Sequence, residues 1–133
     1  VKKSRESIIK LAISLLGVPY LWGGKSSFGF DCSGFVQMVL KIAGIDIMRD
    51  TSQQIQTTWL ENIDILDAKP GDLLFFSENN NINHVAFSLG DGKIIHCSGE
   101  VKIESIKEGE SEFSNKLSQV VPQTFSISKK VLS

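Results

Sequence analysis

Apolar residues first recur at helical spacing. Ile8, Leu11, Ala12, Leu15 and Leu16 fall on one stripe, with Ser4 suited to cap its start and Gly17 to stop it, which predicts an amphipathic first helix. A second stripe runs through Cys32, Val36, Val39 and Ala43, with Phe35 and Leu40 beside it and Gly44 as its end. Between the two, residues 17–30 are too rich in glycine and aromatics for a regular element and read as a structured loop that delivers the chain to Asp31. The run Asp50-Thr51-Ser52-Gln53-Gln54 has a capping-box pattern and predicts a short third helix whose face carries Ile55 and Trp59.

After residue 68 the period changes from helical to strand-like. Pro70-Gly71-Asp72 reads as a turn, residues 73–77 as an apolar strand and residues 78–83 as a polar loop. Residues 84–89 and 93–97 read as a hairpin, residues 101–105 as a further strand and residues 124–128 as a final one; residues 111–120 carry only a weak helical signal. Helices followed by strands make an α+β domain, an antiparallel sheet covered on one face by the Cys32 helix.

The hairpin turn decides a point of chemistry. A two-residue Asp91-Gly92 loop would pair Gly90 with Lys93 and put His84 and His96 on opposite faces. A three-residue loop, Gly90-Asp91-Gly92, or an equivalent bulge puts both histidines on one face, and that is the arrangement expected here.

The chain has 133 residues, enough for one domain with a real core. With 14 basic and 15 acidic residues the net charge is −1, so no attraction to nucleic acid or to an anionic membrane is expected, and no run of membrane-spanning length occurs. Two cysteines are too few for a disulfide scaffold, and both read as free thiols. The chain begins at Val1 without an initiator methionine, as expected of a mature product or of a domain excised from a longer protein.

Cys32 sits at the first turn of its helix, where backbone N–H groups and the helix dipole favour a thiolate, so a lowered pKa is expected. His84 and His96 are the only histidines. A cysteine, a histidine base and a second orienting group form the minimal set for cleaving an amide. Cys97, next to His96 on a strand, points to the opposite face and reads as a core residue. For the same reason Cys32, His84, His96 and Cys97 cannot easily share a zinc ion, and no metal or other cofactor is expected. Trp22 reads as core, and Gly23-Gly24 as a backbone turn without the pattern of a phosphate loop.

Five segments, Pro19-Tyr20-Leu21-Trp22-Gly23-Gly24, Asp31-Cys32-Ser33-Gly34-Phe35-Val36-Gln37, Lys69-Pro70-Gly71-Asp72-Leu73, His84-Val85-Ala86 and Ile95-His96-Cys97-Ser98, together resemble the NlpC family of bacterial cell-wall cysteine peptidases. The resemblance is collinear from about residue 5 to residue 100. It implies a papain-like catalytic domain over residues 1–133, and hydrolysis of the bond between D-glutamate, through its side-chain carboxyl, and meso-diaminopimelate or L-lysine in peptidoglycan stem peptides. It implies Cys32 as nucleophile, His84 as general base and His96 as orienter; a tetrahedral intermediate also needs donors, for which the Cys32 N–H at the helix start and the Tyr20 hydroxyl are the candidates. Asp31 and Ser33 would contact the D-glutamate, and Asp50 with Thr51 the free ammonium of an N-terminal L-alanine. An amine reader at Asp50 favours released muropeptides, hence cytoplasmic recycling by a monomer in bacteria. A periplasmic or secreted site follows instead if an export signal was removed. Related enzymes of this kind often close the alanine end of the site with an N-terminal β-barrel domain, which a longer protein would supply. Attack on intact wall, and transfer of the acyl group to an amine by the same Cys-His-His set, are the rival activities. A catalytically silent wall-binding module is a third.

Overall fold

The computed structural model describes residues 3–19, 25–26, 29–107 and 122–132. Helix α1 (Arg5–Ser14) starts where Ser4 accepts a hydrogen bond from the Ser7 N–H at 3.1 Å. Within the stretch expected to be irregular, β1 (Lys25–Ser26) and β2 (Gly29–Phe30) form a minimal antiparallel pair, a correction to the loop reading. Helix α2 (Cys32–Ile42) follows at once, capped by Asp31, whose carboxylate accepts from the Gly34 N–H at 2.7 Å. Helix α3 (Thr51–Gln54) has the expected capping box, in which the Gln53 side chain accepts from the Asp50 N–H at 3.3 Å.

The strands are β3 (Leu60–Ile63), β4 (Leu73–Glu78), β5 (Asn81–Gly90), β6 (Lys93–Ser98), β7 (Glu100–Ser105) and β8 (Gln123–Ile127), with a 3-10 turn (Ile65–Asp67) between β3 and β4. They pair antiparallel in the order β3-β8-β4-β5-β6-β7. The weakly helical residues 111–120 lie outside the described residues.

Helices α1 and α2 cover one face of this sheet. Ile8, Ala12, Phe35, Val39 and Leu40 meet Leu73, Phe75, Val85, Phe87, Ile95 and Cys97 in one buried cluster. The rings of Phe35 and Phe87 lie edge to face with centroids 5.8 Å apart. The opposite face carries a smaller cluster of Leu74, Phe76, Ala86 and Ile94. Cys97 is fully buried on the helix side, as expected of a core thiol, and both cysteines are free. Arg5 fastens α1 to the sheet, with its guanidinium on the Asp72 carboxylate and on Ser126 Oγ at 3.1 Å. No described helix is long and apolar enough to cross a membrane.

One turn differs from expectation, and a second meets it by way of a bulge. Residues 78–83 are not a loop: Asn79 and Asn80, at φ 52° and 65°, make a two-residue turn and the strands continue on either side. Asparagine tolerates this left-handed backbone, so a polar run can hide a tight hairpin. In the β5–β6 hairpin Asp91 and Gly92, at φ 52° and 78°, make the two-residue turn and pair Gly90 with Lys93. The register then shifts between Ser88 and Gly90, so Leu89 is an extra, bulged residue. The bulge restores the parity that the short turn alone would have broken, and His84 and His96 share a face.

Candidate active site

The paired register of β5 and β6 runs from Gly90 and Lys93 only as far as Phe87 and Ile95. Beyond it, toward Asn83, the Cys32 thiol approaches the β5 backbone from the helix side. Its Sγ lies 3.9 Å from the Asn83 carbonyl oxygen, and the Val85 backbone also bonds to it. The thiol is thus seated on the residues immediately before and after His84. A second irregularity falls at the same place, because Phe76 pairs with His84 while Ser77 pairs with Ile82 and leaves Asn83 unpaired. Thr51, the first residue of α3, adds a side-chain hydrogen bond to Cys32.

Burial and hydrogen bonding oppose each other at this sulfur. Desolvation is the largest influence and, with the nearby Asp31 carboxylate, raises the Cys32 pKa above its ordinary value. Hydrogen bonds from the Val85 backbone, the Thr51 side chain and the Ser33 backbone pull it down but do not win. The lowered pKa expected from the helix start is therefore overturned. The helix end still supplies a donor, the Ser33 N–H, but the thiol is too well buried for that to dominate.

Along β5 and β6 the histidines form a chain of contacts. His84 Nε2 lies 2.6 Å from His96 Nδ1, with the rings 4.8 Å apart at 75°. His84 also packs on Phe76, ring centroids 5.8 Å apart. His96 is 1% exposed, and its Nε2 lies 2.8 Å from Glu104 Oε1. Burial lowers the His96 pKa, against the opposing pull of Glu104, so the ring is neutral at pH 7. Glu104 is a neighbour of the histidine pair that was missed in the sequence. The signal was Gly99, whose turn pairs His96 with Lys102 and so brings Glu104 diagonally across from His96 on the same face.

The NlpC/P60 family model matches residues 17–120. The chain belongs to the NlpC/P60 family. It is 43% identical over 98 residues to a gamma-D-glutamyl-L-lysine dipeptidyl-peptidase of Bacillus subtilis, covering 71% of this chain and 32% of that protein. A protein of the same name from Bacillus cereus is 39% identical over 94 residues, covering 68% of this chain and 28% of that one. The chain thus spans about a third of the curated relatives it matches. Among solved structures, the NlpC/p60 domain of the peptidoglycan hydrolase SagA superposes with a TM-score of 0.73 at 34% identity, covering 92% of this chain and 97% of that one. An NlpC/P60 family protein from Bacillus cereus gives a TM-score of 0.80 at 29% identity, with 96% and 41% covered. The antiparallel sheet with its cysteine-bearing helix is accordingly the papain-like NlpC/P60 fold.

In this NlpC/P60 chain the other site residues of the sequence reading fall into two groups. Asp31 and Ser33 are held by Arg49, whose guanidinium donates to Asp31 Oδ2 at 2.8 Å and to Ser33 Oγ at 3.0 Å. That ion pair raises the Arg49 pKa and fixes a cation beside Cys32. Arg49 was not among the expected site residues, although it precedes Asp50 directly. Asp50 and Thr51 lie at the start of α3, where Asp50 is the cap and buried Thr51 reaches the thiol. Gln54 anchors this segment by donating to Ser33 O at 3.1 Å and to Met48 O at 2.9 Å. Tyr20, Trp22 and Gly23-Gly24 lie outside the described residues.

Proposed function

We propose that this chain is the catalytic domain of a cysteine peptidase that hydrolyses the γ-D-glutamyl bond to a diamino acid, L-lysine or meso-diaminopimelate, in peptidoglycan stem peptides. The observation that carries the proposal is the Cys32 thiol held against the backbone on both sides of His84, whose ring is paired with His96. Cys32 passes its proton to His84 and the sulfur attacks the carbonyl carbon. The Cys32 N–H, with Tyr20, stabilises the oxyanion. The amine leaves with the proton from His84, and water, deprotonated by the same imidazole, releases the acid and restores the thiol.

The substrate class follows from charge. Arg49 offers a cation to the α-carboxylate of D-glutamate, with Ser33 beside it and Asp31 acting through Arg49. Asp50 offers a carboxylate to the ammonium of an N-terminal L-alanine, which in intact wall is an uncharged amide. The preferred substrates are therefore free muropeptides, and the domain serves recycling in the bacterial cytoplasm. The names of the relatives, dipeptidyl-peptidases, support a free amino terminus.

The test is mass spectrometry of products from L-Ala-γ-D-Glu-L-Lys and its N-acetylated form. Cleavage of the free peptide alone, lost in Cys32→Ala and with KM raised about tenfold in Asp50→Asn, is expected. Equal cleavage of both peptides would remove the Asp50 reading in favour of intact wall, and a product joined to an added amine would show a transferase.

A further inference from the structure

We propose that Glu104 is a positioning residue that sets the proton order of the whole histidine chain. Its carboxylate has only acceptor oxygens, so the 2.8 Å contact to His96 Nε2 is a bond that His96 must donate. A neutral His96 that donates from Nε2 has its lone pair on Nδ1. The 2.6 Å contact between His96 Nδ1 and His84 Nε2 must then be donated by His84. A neutral His84 with its proton on Nε2 carries the lone pair on Nδ1, which is the tautomer able to take the proton of a thiol. Every step follows from one group that can only accept.

The opposite order is inert. If His96 carried its proton on Nδ1, it would donate to His84 Nε2 and drive the His84 proton to Nδ1, where no lone pair is left for Cys32. Burial keeps His96 neutral in both orders, so protonation does not decide between them; Glu104 does. Among the described residues this series joins His84 on β5 and His96 on β6, and Lys102 on β7 places its Nζ 3.6 Å from the same Glu104 oxygen. Lys102 draws on the carboxylate from the solvent side and leaves the His96 contact shorter. When His84 becomes an imidazolium during the reaction, Glu104 also supplies the negative charge that neutral His96 lacks.

The kinetic consequence rests on the peptidase reading above; the proton order does not. Two measurements separate them. Nitrogen-15 NMR of histidine-labelled protein reads the tautomers directly and needs no activity. Both rings are expected to carry the proton on Nε2 in the wild type, and Glu104→Ala is expected to move His96 toward its Nδ1–H form. Cleavage of L-Ala-γ-D-Glu-L-Lys gives the second reading. An asparagine that holds the wrong tautomer in a serine-protease triad costs about 10⁴-fold, and Glu104 acts one residue further away, so kcat in Glu104→Ala should fall about ten- to a hundredfold with KM little changed. Glu104→Gln retains an acceptor oxygen and should fall less. Both variants should move the acid limb of the pH–rate profile to lower pH, since a less stable imidazolium gives up its proton more readily. A merely structural role would lower activity without moving that limb or the tautomer. The inference is overturned by a His96 proton on Nδ1 in the wild type, by tautomers unmoved in Glu104→Ala, or by a kcat within about twofold of wild type. If the wild type cleaves no γ-D-glutamyl peptide, the proposed function fails, and the NMR result alone still decides the proton order.

Discussion

Thr51→Val isolates the hydroxyl that helps a buried thiol to ionise. Thr51 is 9% exposed, and its side chain bonds to Cys32, one of three hydrogen bonds that oppose desolvation there. A hydrogen bond to a charged group contributes about 1.5–3 kcal/mol, and the low end applies because the Val85 and Ser33 backbone donors remain. With 1.36 kcal/mol to the pKa unit, the Cys32 pKa should rise by about one unit. The substitution keeps the β-branched shape, and Asp50, not Thr51, caps α3, so the fold should hold. The assay is the pH dependence of iodoacetamide modification in a His84→Ala background, where the thiol titrates without its base. Cys97 does not compete, being fully buried with its pKa pushed up to about 11. The rate at pH 7 should fall about tenfold and converge with the parent at high pH, and Thr51→Ser should restore it. A midpoint unmoved by Thr51→Val would refute the assignment of this hydroxyl to the sulfur.

Deleting Leu89 should remove the bulge, return His84 and His96 to opposite faces, and abolish cleavage while far-UV circular dichroism still reports a folded sheet; retained activity would contradict the parity argument. Asp72→Ala should cost about 3–5 kcal/mol in urea unfolding, because the side chain is 1% exposed and accepts from Arg5 and from the Lys69 and Ile127 N–H groups; a loss below about 1 kcal/mol would show that these donors find water instead. His96 has its folded pKa below the ordinary 6.5, so above 6.5 neither state gains a proton there, while on acidification the unfolded chain is protonated first. Urea midpoints should therefore drop between pH 6.5 and pH 5, and His96→Asn should flatten that drop.

The parts of the fold that were readable are those with local chemistry. Ser4 and Asp50 cap helices by side chains acting within three residues, and the 3.6-residue stripes need no knowledge of the rest of the chain. Strand β3 was missed because Leu60-Glu61-Asn62-Ile63 keeps its two central residues in solvent at a sheet edge and shows no alternation. The histidine pairing was readable only as a condition on a turn, since a bulge and a longer loop give the same parity. Glu104 and Arg49 belong to a different class. Each contacts a residue of the proposed site from another element, and only strand register or loop packing brings them there. The Cys32 pKa failed for a related reason: a dipole can be inferred from position along a helix, whereas the depth at which the sulfur is buried cannot.

The position of β8 imposes an order on assembly. Strands β4 to β7 are successive hairpins whose pairings span few residues and can close quickly, but β8 lies between β3 and β4 and pairs with β3, some sixty residues earlier. Arg5 waits for the same strand, since Ser126 and Ile127 complete its set of partners. Loop closure over such separations is slow compared with hairpin formation. The histidine platform can therefore form while β3 is still unpaired, and the arrival of β8 then restrains the segment after Trp59, within ten residues of Asp50 and Thr51. A folding intermediate of this chain would hold the His84–His96 pair before the segment that carries Asp50 and Thr51 is fixed.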